Sequence, residues 1–256
     1  AFVAAPRESV DEPGAVAWCD ALAAGLRPAP LAAGPDDLAV MPYTSGTTGH
    51  PKGCMHTHRS VMYNTVAGTQ WLNTQQDAVT LVVLPLFHVT AMQGGMNGSL
   101  YAGATIVLLP RWDRDAAAQL IGRYRVTGTQ MIVTMVVDLL SNPRLGEYDF
   151  SSIRRLSGGG AAMPDAVATR LKELCNLDYI EGYGMSETMA ATHINPPQRP
   201  MKQCLGIPTF DVDARVVDPA TLAELPPGEV GEIIVHGPQV MQGYWGQPEA
   251  TAAAFV

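Results

Sequence analysis

The stretch that decides how this sequence is interpreted is Tyr43-Thr44-Ser45-Gly46-Thr47-Thr48-Gly49-His50-Pro51-Lys52-Gly53, which follows the apolar run 38–41. Four serine or threonine residues, three glycines and one lysine occupy these eleven positions. Glycines let backbone N–H groups approach a ligand, hydroxyl groups donate hydrogen bonds, and lysine supplies a positive charge. The next segment, 57–67, is predicted to be a helix whose N-terminal dipole adds to the same field. The stretch therefore predicts an anion-binding loop.

This hydroxyl–glycine loop (residues 43–53) differs from the common nucleotide P-loop. A P-loop has glycine directly before the lysine and serine or threonine directly after it. Here Pro51 precedes Lys52 and Gly53 follows it, so a phosphotransferase of the P-loop class is disfavoured. A flexible Ser/Thr/Gly linker is the simpler alternative. Linkers, however, rarely lie between an apolar strand and a helix or end in Pro-Lys-Gly.

Short apolar strands alternate with helices along most of the chain. The pattern predicts strands at 38–42, 80–84, 104–109, 130–133, 153–156 and 178–180, and helices at 57–67, 90–101, 113–124, 135–140 and 164–175. Such alternation is typical of an α/β fold with a mainly parallel sheet and helices on both faces. Ligand loops in these folds lie at the carboxyl ends of the strands. The glycine- and histidine-bearing stretches each follow a predicted strand, which indicates one shared site.

The sequence changes character near its C-terminal end. Two strand-like runs, 212–217 and 231–237, flank a segment rich in turn residues that contains Pro226-Pro227-Gly228. We therefore predict an α/β core at residues 1–203, of which 1–35 are an uninformative lead-in. A small β-rich subdomain follows at residues 204–256.

Composition excludes several classes of protein. With 256 residues, of which 47% are hydrophobic and 16% charged, the chain has enough apolar side chains for a large core. A net charge of −8 argues against a general nucleic-acid surface, and no apolar run is long enough for a membrane helix. The four cysteines lack a C-x-x-C pair, which predicts reduced thiols in a cytoplasmic protein. An oligomer is compatible with the sequence.

The hydroxyl–glycine loop meets every fixed position of the pattern Tyr-Thr-Ser-Gly-Thr-Thr-Gly-x-Pro-Lys-Gly. It thereby resembles the phosphate-binding loop of the adenylate-forming enzymes, which include acyl-CoA synthetases, aryl-CoA ligases, luciferases and peptide-synthetase adenylation domains. The resemblance implies that the loop closes over the β- and γ-phosphates of ATP and that Lys52 neutralises charge there. The implied ATP-binding residues of the loop are Thr44, Ser45, Gly46, Thr47, Thr48, Gly49 and Lys52.

A second motif, Gly182-Tyr183-Gly184-Met185-Ser186-Glu187-Thr188, follows the strand predicted at 178–180. An exposed loop with a structural tyrosine is the simpler interpretation of this motif alone. It resembles the second signature motif of the same family, which has threonine where this chain has Ser186. The resemblance implies that Gly182 to Gly184 contact the nucleotide with Tyr183 on adenine. It also implies that Ser186 or Thr188 contacts the α-phosphate and that Glu187 binds Mg²⁺, an ion that needs few protein carboxylates.

Two further stretches carry weaker signals. The resemblance implies that the glycine-rich run 158–162 lets adenine lie against the backbone at Gly159, Gly160 and Ala161, although a loop that only leads into a helix is equally compatible. A lone histidine among apolar neighbours is more often a core residue than a catalyst. The family pattern Pro-x-Phe-His nevertheless implies that His88 orients the carboxylate, so Lys52, His88 and Glu187 are the candidate catalytic residues.

The implied reaction has two steps. A carboxylate attacks the α-phosphate of MgATP to give acyl-AMP and pyrophosphate, and coenzyme A then captures the acyl group. The apolar composition near residues 81–109 favours a fatty acid, with an aryl acid as the alternative. A non-catalytic nucleotide-binding module is the competing class.

The resemblance covers only the middle of a usual family member. The Arg-Thr-Gly-Asp segment and the C-terminal lid with its catalytic lysine would lie beyond Val256. We therefore expect these 256 residues alone to bind ATP weakly and to form no acyl-CoA at a useful rate.

Overall fold

The computed structural model describes residues 18–25, 27, 29–44 and 50–256. The chain divides into two compact units, Ala1–Gly34 and Pro35–Val256. In the first unit the described residues include one short helix, α1 (Trp18–Ala23). The second unit contains the rest of the architecture. The predicted boundary near residue 204 stays a prediction.

A seven-stranded sheet forms the centre of the second unit. In spatial order its strands are β4 (Thr105–Leu108), β3 (Val79–Val82), β5 (Gly128–Gln130), β6 (Arg155–Gly159), β7 (Tyr179–Met185), β8 (Ala190–Ile194) and β9 (Ile207–Pro208). The first five are parallel, and β8 and β9 are antiparallel to their neighbours. The predicted mainly parallel α/β sheet is confirmed.

Helices accompany this sheet in the second unit. They are α2 (His58–Trp71), a π-helix (Ala91–Asn97) continued by α3 (Gly98–Ala102), α4 (Arg114–Tyr124), α5 (Val133–Leu140), α6 (Asp165–Cys175) and α7 (Pro248–Ala254), with 3₁₀ turns at Leu145–Glu147 and Ser186–Thr188. Apolar residues of α4, α5 and α6 share one buried core with residues of β3, β4, β6 and β7. The α2 helix packs instead against the π-helix and α3. No helix among the described residues is long and apolar enough to cross a membrane.

Two small antiparallel sheets accompany the central one. One pairs β1 (Leu38–Val40) with β2 (His56–Thr57), and the other pairs β10 (Asp213–Val217) with β11 (Glu232–His236). The hydroxyl–glycine loop therefore connects two antiparallel strands and does not follow a strand of the parallel sheet. That part of the sequence-based prediction is wrong, because an apolar run indicates a strand without specifying which strand it pairs with.

The second motif also differs from its prediction. Residues predicted as a loop, Gly182 to Met185, continue β7 and pair with β8. Glycine disfavours strand structure locally, but here the antiparallel pairing of β7 with β8 outweighs this low propensity. Only the last three residues of the motif lie outside the strand, in the 3₁₀ turn Ser186–Thr188.

Candidate active site

A cleft of about 1080 Å³ opens along the carboxyl ends of the parallel strands. Segments that follow β1, β3, β5, β6 and β7 all contribute to its wall, as α/β topology requires of a shared site. The sequence-predicted residues that line it are Thr44, Lys52, His88, Gly159, Gly160, Gly182, Tyr183, Gly184, Ser186 and Glu187. Ala161 and Thr188 are not among the lining residues.

The structure describes the two ends of the hydroxyl–glycine loop, residues 43–44 and 50–53. Ser45, Gly46, Thr47, Thr48 and Gly49 lie outside the described residues, so their predicted roles stay predictions. The two ends of the loop are held together, since the Thr44 N–H donates to the Lys52 carbonyl at 2.9 Å. This pairing brings both Thr44 and Lys52 to the cleft.

Lys52 and Glu187 face the same part of the cleft through a shared neighbour, Tyr244. The Lys52 Nζ lies 4.4 Å from the centre of the Tyr244 ring. The Tyr244 hydroxyl donates a 2.7 Å hydrogen bond to the Glu187 carboxylate. One aromatic side chain therefore orients a cation on its face and an anion at its hydroxyl. Burial, then this bond to Glu187, raise the pKa of Tyr244, which keeps the phenol protonated as a donor.

The sequence analysis did not identify Tyr244 as a site residue. The segment around it pairs with the end of the hydroxyl–glycine loop: the Trp245 N–H donates to the Gly53 carbonyl, and Met55 exchanges backbone hydrogen bonds with Gln242 and Gly243. Nothing local in the run Gln242 to Trp245 marks this role, because its partner lies about 190 residues earlier in the chain.

Cys54 lies beneath this junction. Its side chain is fully buried and packs against Met241 and Tyr244. Burial and the nearby Glu187 carboxylate raise the pKa of the Cys54 thiol to about 12. The thiol is therefore protonated at neutral pH, and its contribution is packing that fixes the Lys52 end of the loop.

The turn that carries Glu187 is anchored by a histidine that sequence analysis missed. His56 is fully buried, and its Nε2 donates a 2.7 Å hydrogen bond to the Ser186 carbonyl. Burial lowers the pKa of His56, so the neutral ring is favoured. No local pattern around His56 indicates this role, since the bond joins residues 130 positions apart.

Inside the turn, the two candidate hydroxyl groups are placed differently. Ser186 lines the cleft, whereas the Thr188 hydroxyl is buried and bonds to Met185 and Ala190 within the turn. Tyr183 lines the cleft with its ring edge-on to His193, 5.9 Å between centroids. These placements make Ser186 the hydroxyl available to a ligand.

The glycine-rich end of β6 forms the wall beside Tyr183. A Cβ on Gly158 would collide with the Tyr179 hydroxyl and the Met131 carbonyl, which are themselves hydrogen-bonded at 2.6 Å. Close packing of neighbouring strands thus requires glycine at this position. The backbone of Gly158, Gly159 and Gly160 faces the cleft as a result.

His88 is exposed and lines the cleft, so the alternative of a core histidine is wrong. Its Nδ1 accepts a 3.2 Å hydrogen bond from the Thr90 N–H at the start of the π-helix. With Nδ1 occupied, the neutral ring carries its proton on Nε2, which remains available as a donor.

The N-terminus of α2 does not provide the anion site that the sequence suggested. The backbone N–H groups of its first three residues donate to Asp37, Pro35 and the Thr57 side chain. These donors are already satisfied by the protein.

Three buried polar atoms at the cleft have no hydrogen-bond partner within the described structure. They are Thr44 Oγ1, Gln130 Oε1 and Ser157 Oγ. Buried polar groups are usually paired, so unpaired ones along a cleft indicate contacts completed by a ligand or water. The described residues contain no cluster of three metal-ligating side chains.

Comparison with known proteins identifies relatives of this architecture. The model of the AMP-binding enzyme family matches residues 3–245. The chain is 38% identical over 220 residues to a long-chain-fatty-acid–CoA ligase of Bacillus subtilis (strain 168), an alignment with 85% of this chain and 39% of the relative. It is 37% identical over 232 residues to a feruloyl-CoA synthase of Amycolatopsis sp, covering 90% of this chain and 47% of that protein.

A solved structure agrees with these matches. The crystal structure of ATP-bound MatB from Rhodopseudomonas palustris superposes with a TM-score of 0.85 at 32% identity. The alignment covers 94% of this chain and 48% of MatB. The chain therefore spans less than half the length of each of these relatives.

Proposed function

The chain belongs to the AMP-binding enzyme family, and on that premise we propose that its cleft activates a carboxylic acid with ATP. The products of this step are an acyl adenylate and pyrophosphate. Coenzyme A then captures the acyl group, as the names of the CoA ligase and CoA synthase relatives suggest. The observation that carries the proposal is the arrangement of Lys52, Tyr244 and Glu187 around one part of the cleft.

This arrangement suits a polyphosphate chain. Lys52 supplies positive charge beside the β- and γ-phosphates, and Ser186 offers a hydroxyl to the α-phosphate. Phosphoryl and nucleotidyl transfer depend mainly on positioning of the reactants and on charge stabilisation. The protein therefore needs to form few covalent bonds itself. Tyr183 and the backbone of Gly159 and Gly160 provide the flat surface for adenine.

The donor set also fits Mg²⁺. Mg²⁺ in nucleotide sites is typically held by one or two carboxylates, with phosphate oxygens and water as its other ligands. Glu187 lines the cleft and is oriented by the Tyr244 hydroxyl, so it would supply that carboxylate. The ion would offset negative charge on the phosphates when bound.

The carboxylate that reacts would lie near His88. With Nδ1 bonded to the Thr90 backbone, His88 Nε2–H is free to donate to the carboxylate and to orient it. The cleft is also lined by α2, at Asn64, Thr65, Gly68 and Thr69, and by Leu72 directly after this helix. We assign the organic part of the acid to this space.

Two acid classes compete for that space. The apolar stretch near residues 81–109 favours a fatty acid, in line with the ligase relative from Bacillus subtilis. The amide, hydroxyl and glycine residues on the cleft side of α2 and the π-helix favour an aryl or otherwise polar acid, in line with the feruloyl-CoA synthase relative.

The test is acid-dependent exchange of pyrophosphate into ATP, measured with a panel of alkyl and aryl acids. The protein should carry whatever sequence flanks these 256 residues in its gene. Exchange that requires an acid supports the proposal. Nucleotide binding without exchange indicates a non-catalytic module, and release of ADP indicates a phosphotransferase; either result would overturn it.

A further inference from the structure

The lining of the same cleft contains a second cation, Arg155. Arg155 begins β6, whereas Gly159 ends it at the proposed adenine site. At about 3.3 Å per residue, the two positions are roughly 13 Å apart along the strand. Both residues line the same cleft, together with Leu72 and Thr74 just beyond the C-terminal end of α2. The cleft therefore runs from the nucleotide site to a guanidinium group.

The guanidinium has unusual surroundings for a charged group. Its Nη1 donates 2.9 Å hydrogen bonds to the Leu72 carbonyl and the Thr74 hydroxyl, which are both neutral. No carboxylate among the described residues lies within 4 Å of it. Burial lowers the pKa of Arg155, although a guanidinium remains charged at neutral pH. Arg155 is half-buried, and a cation withdrawn from water usually has an anionic partner, because removing an unpaired charge from water costs free energy.

Hydrogen-bonding capacity is left over at this cation. A guanidinium carries five N–H donors, and within the described structure only those on Nη1 have partners. The neighbouring strand leaves room for the group, since β5 places Gly128 opposite Arg155 and a Cβ at Gly128 would lie 3.2 Å from Nη2. The Nε and Nη2 donors are therefore free for a ligand.

The facing helix leaves space as well. Gly68 lies in the interior of α2 and lines the cleft, and a Cβ added there would meet no atom within 4 Å. Glycine inside a helix costs about 1 kcal/mol relative to alanine. No close approach within the described protein explains this glycine, so the open space beside it is available to the organic part of a ligand.

We propose that Arg155 binds a hydrogen-bond-accepting oxygen at the far end of the acid, so that the protein selects acids with a polar terminus over plain alkyl acids. This inference rests on the proposed function and specifies its substrate class. A distal carboxylate and a distal phenol share the required chemistry, because each offers an oxygen to the guanidinium N–H donors. The acid is bound at both ends: His88 faces the reacting carboxylate and Arg155 the distal oxygen.

The first test uses the unmodified protein and two pairs of acids that differ only at the far end. Octanedioate is compared with octanoate, and para-hydroxycinnamate with cinnamate, in acid-dependent pyrophosphate exchange and in calorimetric binding. We expect kcat/KM to be about tenfold or more higher for at least one polar-ended member over its partner, the gain typical of a charged hydrogen bond. Which pair shows the larger ratio identifies the distal group as anionic or phenolic.

The second test replaces Arg155. In Arg155→Met, KM for the polar-ended acid should rise until the preference between paired acids disappears, while KM for ATP stays unchanged. Arg155→Lys should retain part of the preference. The matched control is Arg154→Met, because Arg154 is exposed and pairs with Asp77 at 3.3 Å. That control should keep the preference of the unmodified protein.

The possible results separate this inference from the proposed function. If no acid supports exchange, adenylation is wrong, and calorimetric binding of the paired acids still decides the role of Arg155. If the unmodified protein prefers the unsubstituted acid of both pairs, Arg155 does not select the substrate. Equal losses for both members of a pair in Arg155→Met and Arg155→Lys would assign the residue a purely structural role.

Discussion

The two ends of the cleft differ in how the protein bonds their charged side chains. At the nucleotide end, Lys52 and Glu187 are both oriented by Tyr244, so a cation and an anion are held in place by the protein itself. At the acid end, the Arg155 guanidinium is bonded only to neutral groups within the described structure. The protein itself orients both charged groups at the nucleotide end, whereas the guanidinium at the acid end leaves donors that a ligand would complete.

The difference indicates how reactivity and selectivity are separated. Groups that stabilise a transition state are most effective when their orientation is fixed beforehand. A group that discriminates between substrates is most effective when its bonding is incomplete without the correct one. Substitutions at the nucleotide end should therefore affect all acids equally, whereas substitutions at the acid end should depend on which acid is tested.

Removal of the Lys52 charge should produce the largest effect. We expect Lys52→Met to lower kcat for pyrophosphate exchange by about 100-fold or more with every acid, because one preorganised charge-stabilising group is lost. The control is Lys172→Met, since Lys172 is exposed and pairs with Asp178. A loss confined to some acids would contradict the proposed separation of the two ends.

Removal of the Tyr244 hydroxyl should have an intermediate effect. Tyr244→Phe keeps the ring beneath Lys52 but removes the donor to Glu187. We expect roughly a tenfold loss of kcat, the equivalent of one hydrogen bond of about 1.4 kcal/mol, and a higher Mg²⁺ concentration for half-maximal rate. Tyr124→Phe, at an exposed tyrosine on α4, is the matched control. An unchanged Mg²⁺ requirement would show that the Tyr244 hydroxyl does not orient Glu187 for metal binding.

A methyl group at the acid end should have a smaller and selective effect. Gly68→Ala should stabilise α2 by about 0.5–1 kcal/mol, because alanine has the higher helix propensity. It should also raise KM for the acid a few-fold while leaving KM for ATP unchanged. Chemical denaturation and steady-state kinetics measure the two effects. Gly146→Ala, at a position with open space outside the cleft, should change no KM.

The smallest effect should be a dependence of stability on pH. Burial lowers the pKa of His193, whose ring packs against Tyr183. The unfolded chain then binds more protons than the folded chain below pH about 6.5, so the free energy of unfolding decreases as pH falls through that value. His193→Asn should weaken this dependence and the exposed His58→Asn should not; buried His56 has the same sign and accounts for the remainder.

Sequence reasoning succeeded where a signal was local. The helix predicted at 113–124 is α4 (Arg114–Tyr124), and Asp113 caps it, with its carboxylate accepting from the Ala116 N–H. Short apolar runs located the parallel strands to within a few residues, except that β7 continues five residues past its predicted end. A capping carboxylate and an apolar run both act within a few positions of the chain, so they can be recognised from the sequence alone.

Sequence reasoning failed for residues whose contact partner lies far away in the chain. Neither Tyr244 nor His56 carries a local mark of its role, because each acts on a segment more than 50 residues distant. Arg155 was overlooked for another reason. It follows Arg154 directly, and only the strand pairing shows that one arginine faces Asp77 in solvent while the other enters the cleft.

The pairing of Gly53 and Met55 with residues 242–245 has a consequence for biosynthesis. The acid end uses residues between Asn64 and Arg155, but the Lys52 junction lacks its partner until Trp245 has left the ribosome. Chains emerge at about 5–20 residues per second, so roughly 10–40 s pass between synthesis of the hydroxyl–glycine loop and synthesis of Trp245. Truncation before Tyr244 should therefore yield a product that cannot assemble the polyphosphate site, even where the earlier strands have formed.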